Sequence, residues 1–114
     1  MGQTYQGVCA GVLNPSKVTG KALVAGSPRE ANKIREGDIL ITRMTNVDFI
    51  MAMRTAGAIV TFNGGRLCHA AIVARELGKV CVVACSSLEG KVKTGDQVTI
   101  ELDGANRVGF VTVG

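Results

Sequence analysis

The sequence is poor in the residues on which several classes of protein depend. It has no tryptophan, one tyrosine and three phenylalanines among 114 residues, so it has few of the aromatic side chains on which nucleic-acid bases stack. No apolar run reaches about 18 residues, the length that predicts a transmembrane helix. The first ten residues show no charged segment followed by an apolar one, so no secretory signal is predicted. These absences predict a cytoplasmic protein that binds neither nucleic acid nor membrane.

Common catalytic and metal-binding motifs are also missing. The single histidine, His69, has no second histidine beside it, and the four cysteines form no Cys-x-x-Cys pair; we therefore predict no metal site, and free, buried thiols. There is no Gly-x-Ser-x-Gly motif, no Walker loop and no evident carboxylate pair. The net charge of +4 is dispersed, which fits an anionic partner such as a phosphate without identifying one.

What the sequence does contain predicts one globular domain over residues 1–114. Hydrophobic residues make up 46% and charged residues 19%, a balance typical of folded domains. Continuous apolar runs at 39–41, 58–60 and 80–83 predict strands buried on both faces. Two predicted helices separate these strands. One is capped by Thr45 or Asn46, and the other is His69–Leu77. This alternating order of three strands and two helices predicts a parallel βαβαβ core with right-handed crossovers.

Both ends of the chain predict additional strands. Residues 4–12 and 20–26 favour strands, and Ser27 followed by Pro28 predicts the capped start of a short helix. Residues 97–102 and 107–113 flank Asp103-Gly104, a hairpin signal. We therefore expect an α/β domain whose mixed sheet is extended by β-hairpin strands from both ends. Along helix 69–77, Ile72, Val73 and Leu77 predict the apolar, buried stripe.

His69 is the candidate catalytic residue, although a lone histidine is more often structural. It follows a Gly-Gly loop, Gly64 and Gly65, after a buried strand, where α/β sheets place ligands. It also begins a helix, whose terminus disfavours an imidazolium and stabilises an anion. A neutral ring nitrogen that attacked phosphorus would produce a phosphoryl dianion at that terminus. The glycines allow close backbone approach, and Arg66 is the nearest cation.

Two neighbouring residues are weaker candidates. Arg75 lies about 240° around the helix from His69, so a salt bridge with a carboxylate is its alternative role. Cys68 could be activated by the same helix terminus. Its only possible base is His69, however, and adjacent residues do not generally face each other.

Residues 64–75, Gly-Gly-Arg-Leu-Cys-His-Ala-Ala-Ile-Val-Ala-Arg, resemble the phosphohistidine signature of the phosphoenolpyruvate-utilising enzymes. The pattern Gly-Gly-x-Thr-x-His marks the mobile, or swivelling, domain of pyruvate phosphate dikinase, phosphoenolpyruvate synthase and their relatives. The stretches 37–42, 58–61, 75–78 and 95–99 also resemble the family, so the likeness covers about residues 20–113.

The resemblance implies a swivelling β/β/α fold and a phosphotransferase component. His69 would carry the phosphoryl group on Nε2, supported by Gly64, Gly65, Arg66, Cys68 and Ala70, and less directly by Leu67 and Arg75. The domain would shuttle between an ATP-grasp nucleotide-binding domain and a TIM-barrel domain that binds phosphoenolpyruvate or pyruvate. Both domains are absent from this chain. Mg²⁺ and ATP or phosphoenolpyruvate would bind to them, and no cofactor would bind here.

The sequence departs from the family pattern at Leu67, which stands where the family has threonine. A hydroxyl there could cap the helix or bond a phosphoryl group, and leucine can do neither. Two alternatives therefore stay open. One is a stand-alone carrier subunit for an acceptor other than pyruvate. The other is a degenerate swivelling domain kept for binding or regulation.

Overall fold

A computed structural model describes residues 2–114. These residues form seven strands and three short helices, with single 3-10 turns at Val47–Phe49 and Ser86–Leu88. The elements are β1 Gln3–Gly11, β2 Lys17–Ala25, α1 Pro28–Ala31, β3 Ile39–Thr42, α2 Ile50–Thr55, β4 Ala58–Thr61, α3 His69–Leu77, β5 Val80–Val83, β6 Gln97–Asp103 and β7 Val108–Val113.

The predicted parallel core is confirmed. Strands β2, β3, β4 and β5 pair in parallel in that order, and every residue of β3, β4 and β5 is buried. Successive residues of these strands enter two separate cores, as the alternation of side chains along a strand requires. Ile39 and Ile41 pack inside the sheet with residues of β6 and β7. Leu40 packs outside with the helices.

The sheet closes into a barrel, which the sequence did not indicate. Its order is β1-β5-β4-β3-β2-β6-β7, with β7 returning to β1. The C-terminal hairpin of β6 and β7 is confirmed. It joins the two N-terminal strands, which do not pair with each other. Gly7 lies opposite Gly109 in the closing pair, and an added Cβ at either would press against Val82. Two glycines thus let β1 and β7 approach over the side chain of Val82.

The helices show one confirmed prediction and one error. The Ser27 side chain accepts a hydrogen bond from the Glu30 amide and caps α1, as predicted. On α3 the buried residues are instead Ala70, Ala71 and Ala74, whereas Ile72 is 42% exposed. The predicted stripe of larger residues was wrong at Ile72, because α3 packs against β1 and β5 through small side chains. No helix within residues 2–114 is long and apolar enough to cross a membrane.

Candidate functional site

The loop between β4 and α3 carries the predicted site and is held by backbone hydrogen bonds. The Phe62 and Asn63 amides donate to the carbonyls of Thr42 and Arg43, each at 3.0 Å. These bonds continue the pairing of β4 with β3 past the end of both strands. The chain then turns through Gly64, whose φ of 103° is unfavourable for other residues. The loop therefore leaves the sheet in one defined direction and places His69 at the start of α3.

Gly64 and Gly65 differ in what they contribute. A Cβ at Gly64 would lie 2.9 Å from Cys68 Sγ, whereas a Cβ at Gly65 would meet nothing within 4 Å. Gly64 therefore packs against Cys68 and lets the loop fold tightly, whereas the close backbone approach to a phosphoryl group, predicted for both glycines, stays a prediction. Gly65 accepts a hydrogen bond from the Cys68 amide through its carbonyl.

His69 is half-buried, and one of its ring nitrogens has a protein partner. Nδ1 lies 2.8 Å from the hydroxyl Oγ1 of Thr45, a residue that is only 8% exposed. Thr45 follows β3 and His69 follows β4, so the two parallel strands bring them together at one edge of the sheet. The bond fixes the ring and leaves Nε2 as the nitrogen available for chemistry.

From its sequence position, Thr45 is one of two candidate caps of the next helix, together with Asn46. The structure assigns that role to Asn46, whose side chain accepts from the Asp48 amide at 2.9 Å. Thr45 is thus a site residue that sequence reasoning missed. The usable signal was its place just after β3, since the carboxyl ends of adjacent parallel strands meet at one edge.

A small cavity of about 170 Å³ opens beside the histidine. At its edge α3 begins, and Cys68, the residue that precedes it, makes no side-chain capping bond. The amides of the first turn of a helix have no partners within the helix. The cavity therefore joins a histidine to a helix terminus suited to an anion. Its lining residues are Met44, Thr45, Thr61, Asn63, Gly64, Cys68, His69 and Ala70.

The structure divides the predicted site residues between two places, except for Gly65, which lines neither. Gly64, Cys68 and Ala70 line the cavity with His69. Arg66, Leu67 and Arg75 line a different cleft of about 390 Å³. Arg75 donates from Nη2 to the carbonyl of Arg66 at 3.0 Å, rather than forming the carboxylate salt bridge considered as its alternative. Both arginines of the predicted site thus line the second cleft and not the cavity at His69.

The four cysteines are free thiols, as predicted. Cys9, Cys81 and Cys85 are buried, and Cys68 is half-buried at the cavity. Burial raises the pKa of the Cys85 thiol to about 11, and it raises the pKa of Cys81 further. No cluster of three or more metal-ligating His, Cys, Asp or Glu side chains occurs in the described part of the chain.

Comparison with known proteins points to one family. The model of the PEP-utilising enzyme mobile domain matches residues 34–106. Phosphoenolpyruvate synthase of Pyrococcus furiosus is 49% identical over 88 residues, which are 77% of this chain and 11% of that protein. The Escherichia coli phosphoenolpyruvate synthase is 51% identical over 71 residues, 62% of this chain and 9% of that protein. The chain thus spans only a small part of these relatives.

A more distant sequence and one solved structure extend the likeness. Phosphoenolpyruvate synthase of Neisseria meningitidis serogroup B is 40% identical over 108 residues, 94% of this chain and 14% of that protein. An NMR solution structure of Enzyme I superposes with a TM-score of 0.55 at 28% identity, over 71% of this chain and 33% of that one. The likeness therefore covers the fold as well as the loop and helix at His69.

Proposed function

This chain belongs to the PEP-utilising enzyme mobile-domain family, and from that premise we propose that it is a phosphoryl carrier. His69 takes a phosphoryl group at one active site and delivers it to another. The observation that carries the proposal is the 2.8 Å contact of His69 Nδ1 with Thr45 Oγ1. A ring held through one nitrogen presents the other to a phosphorus atom in a constant orientation.

The transfer step follows from that contact. In the productive tautomer Nδ1–H donates to Thr45 Oγ1, and the Nε2 lone pair attacks phosphorus. The Nε2–P bond forms as the P–O bond to the donor breaks, and the donor oxygen leaves with the electron pair. The ring gains positive charge while Nδ1 keeps its proton, so the bond to Thr45 strengthens during the step. Delivery to the acceptor reverses these changes.

The terminus of α3 supports the phosphoryl group. Its first amides lie beside the cavity, and no side chain of the preceding residue caps them. The helix dipole adds partial positive charge at the same place. We assign stabilisation of the phosphoryl oxygens to these amides rather than to Arg66, which lines the other cleft. Gly64, Cys68 and Ala70 shape the cavity.

Leu67 is compatible with this role. Its side chain is 84% exposed and borders the second cleft, not the cavity at His69. The helix cap is Cys68, one residue later. Leucine in place of the family threonine therefore leaves the contact between Thr45 and the ring in place. Because His69 and its Thr45 partner are both present, a degenerate domain kept only for binding is not favoured.

The remaining assignments concern proteins or domains beyond this chain. The domain serves as one component of a phosphotransferase and exchanges the phosphoryl group between an ATP-grasp domain and a TIM-barrel domain. The first would bind ATP and the second phosphoenolpyruvate or pyruvate, each with Mg²⁺. The relatives named phosphoenolpyruvate synthase, 40–51% identical, support pyruvate-type chemistry over a different acceptor.

Intact-mass spectrometry at neutral to alkaline pH tests the carrier role. The chain is incubated with the partner domains, Mg²⁺ and either ATP or phosphoenolpyruvate, and in parallel with phosphoramidate, which phosphorylates histidine without a partner. We expect a gain of one phosphoryl group that is absent from His69→Ala and retained by Cys68→Ser. The proposal would be overturned if the chain gained no phosphoryl group in the presence of demonstrably active partners. It would also be overturned if His69→Ala still gained one.

A further inference from the structure

A second cleft, next to the loop of His69, is lined by arginines to which the proposed transfer step assigns no role. Arg66, Arg75 and Arg107 line it together with apolar groups that include Ala10, Leu13 and Leu67, and its volume is about 390 Å³. We call it the arginine cleft. Its arginines come from three separate segments: the loop before α3, α3 itself and the turn between β6 and β7. The barrel thus brings together cations that are up to 41 residues apart in sequence, from 66 to 107.

Within residues 2–114 none of these arginines forms an ion pair. In residues 2–114 the structure shows a single ion pair, Arg43 with Glu89. Asp103, which precedes the cleft residue Gly104, accepts hydrogen bonds from the amide and side chain of Asn106 at 3.2 and 2.8 Å. That bonding holds the pKa of Asp103 low, so this carboxylate keeps its negative charge. Three arginines line the cleft against this one carboxylate, and the cleft therefore presents net positive charge to whatever binds there.

Exposed leucines lie beside the charge. Leu67 is 84% and Leu13 is 55% exposed, and both border the arginine cleft. A free phosphate would use the guanidinium groups alone and leave this apolar surface in water. A protein surface that places carboxylates around an apolar side chain would cover both. Arginine is enriched at the energetically dominant positions of such interfaces.

We propose that the arginine cleft docks an acidic segment of a partner protein, with an apolar side chain seated between its carboxylates. This rests on the proposed carrier function, because a carrier must dock on the domains that load and unload it. The position suits the role. Arg75 donates a hydrogen bond to the carbonyl of Arg66, and Arg66 lies three residues before His69. A partner segment that binds both arginines therefore also contacts the loop that positions the histidine.

The test uses NMR titration of this chain with a synthetic Glu-Glu-Leu-Glu-Glu peptide at low salt. Arg107→Glu is compared with Lys91→Glu, which makes the same charge change at an exposed lysine outside the cleft. We expect amide shifts around the cleft and about fivefold weaker binding for Arg107→Glu, against less than about twofold for Lys91→Glu. Added salt should weaken the binding. A Glu-Glu-Ser-Glu-Glu peptide should bind about fivefold more weakly, because it buries no leucine.

Three results would overturn the docking proposal. Equal losses for the two variants would mean diffuse attraction to a basic protein. Equal binding of the serine and leucine peptides, or full competition by inorganic phosphate, would mean an anion site without protein specificity. The phosphoramidate reaction on the unmodified chain is scored separately, so failure of the carrier function at His69 can be distinguished from failure of docking at the cleft.

Discussion

Replacement of Thr45 by valine tests how the histidine is positioned. The change keeps the shape of the side chain but removes the hydroxyl that lies 2.8 Å from Nδ1. A net hydrogen bond contributes about 1 kcal/mol when neutral and about 1.5–3 kcal/mol when one partner is charged. The bond should therefore gain about 0.5–2 kcal/mol as the ring becomes cationic. We expect phosphorylation of His69 to slow by about two- to thirtyfold.

Two measurements separate positioning from general damage. The rate with phosphoramidate reports the chemical step without partner domains, and imidazole ¹⁵N shifts report which ring nitrogen carries the proton. Thr45→Ser retains the hydroxyl and should restore both. Thr61→Val is the matched control, because Thr61 lines the same cavity but donates to the Asn63 carbonyl at 2.7 Å and not to the ring. It should leave the tautomer unchanged.

A particular outcome would refute this reasoning about Thr45. If Thr45→Val were phosphorylated at the rate of the unmodified chain and showed the same tautomer, the contact would not position the ring. If Thr61→Val shifted the tautomer as much as Thr45→Val, the effect would come from repacking of the cavity. A spectrum of the unmodified chain with the proton on Nε2 would contradict the proposed productive state directly.

The remaining predictions concern the pairing of β1 with β7, which closes the barrel, and the thiols. Gly109→Ala should destabilise the chain by about 1–3 kcal/mol, because the new methyl group would lie 2.5 Å from Val82. Gly65→Ala, with open space around its Cβ, should change the free energy of unfolding by less than about 0.5 kcal/mol. If denaturant unfolding showed equal losses of stability for Gly109→Ala and Gly65→Ala, the close packing of β1 and β7 over Val82 would be contradicted. At pH 8, iodoacetamide should label native Cys68 and spare Cys85, whose burial raises its pKa to about 11. Labelling of Cys85 as fast as Cys68 in peptide mapping would show that the core opens.

Much of the fold could be predicted because its elements are encoded locally. Strands β3, β4 and β5 are continuous apolar runs, and every residue in them is buried. The bounds of α3 were predicted correctly from its start at His69 and its stop before Gly78, which adopts the left-handed conformation at the helix end. The loop motif likewise identified the histidine as the candidate. In each case neighbours in sequence carry the signal.

The sequence by itself thus determined the order and type of the elements, the parallel core and the candidate histidine. Only the tertiary structure decided the contacts between distant segments. The pairing of β3 with β4 brings Thr45 into contact with His69, 24 residues later in the sequence. Closure of the sheet places Gly7 opposite Gly109. The same closure gathers the arginine cleft. Periodicity records which face of an element is buried, but it does not record which partner covers that face, since packing is settled among all elements at once.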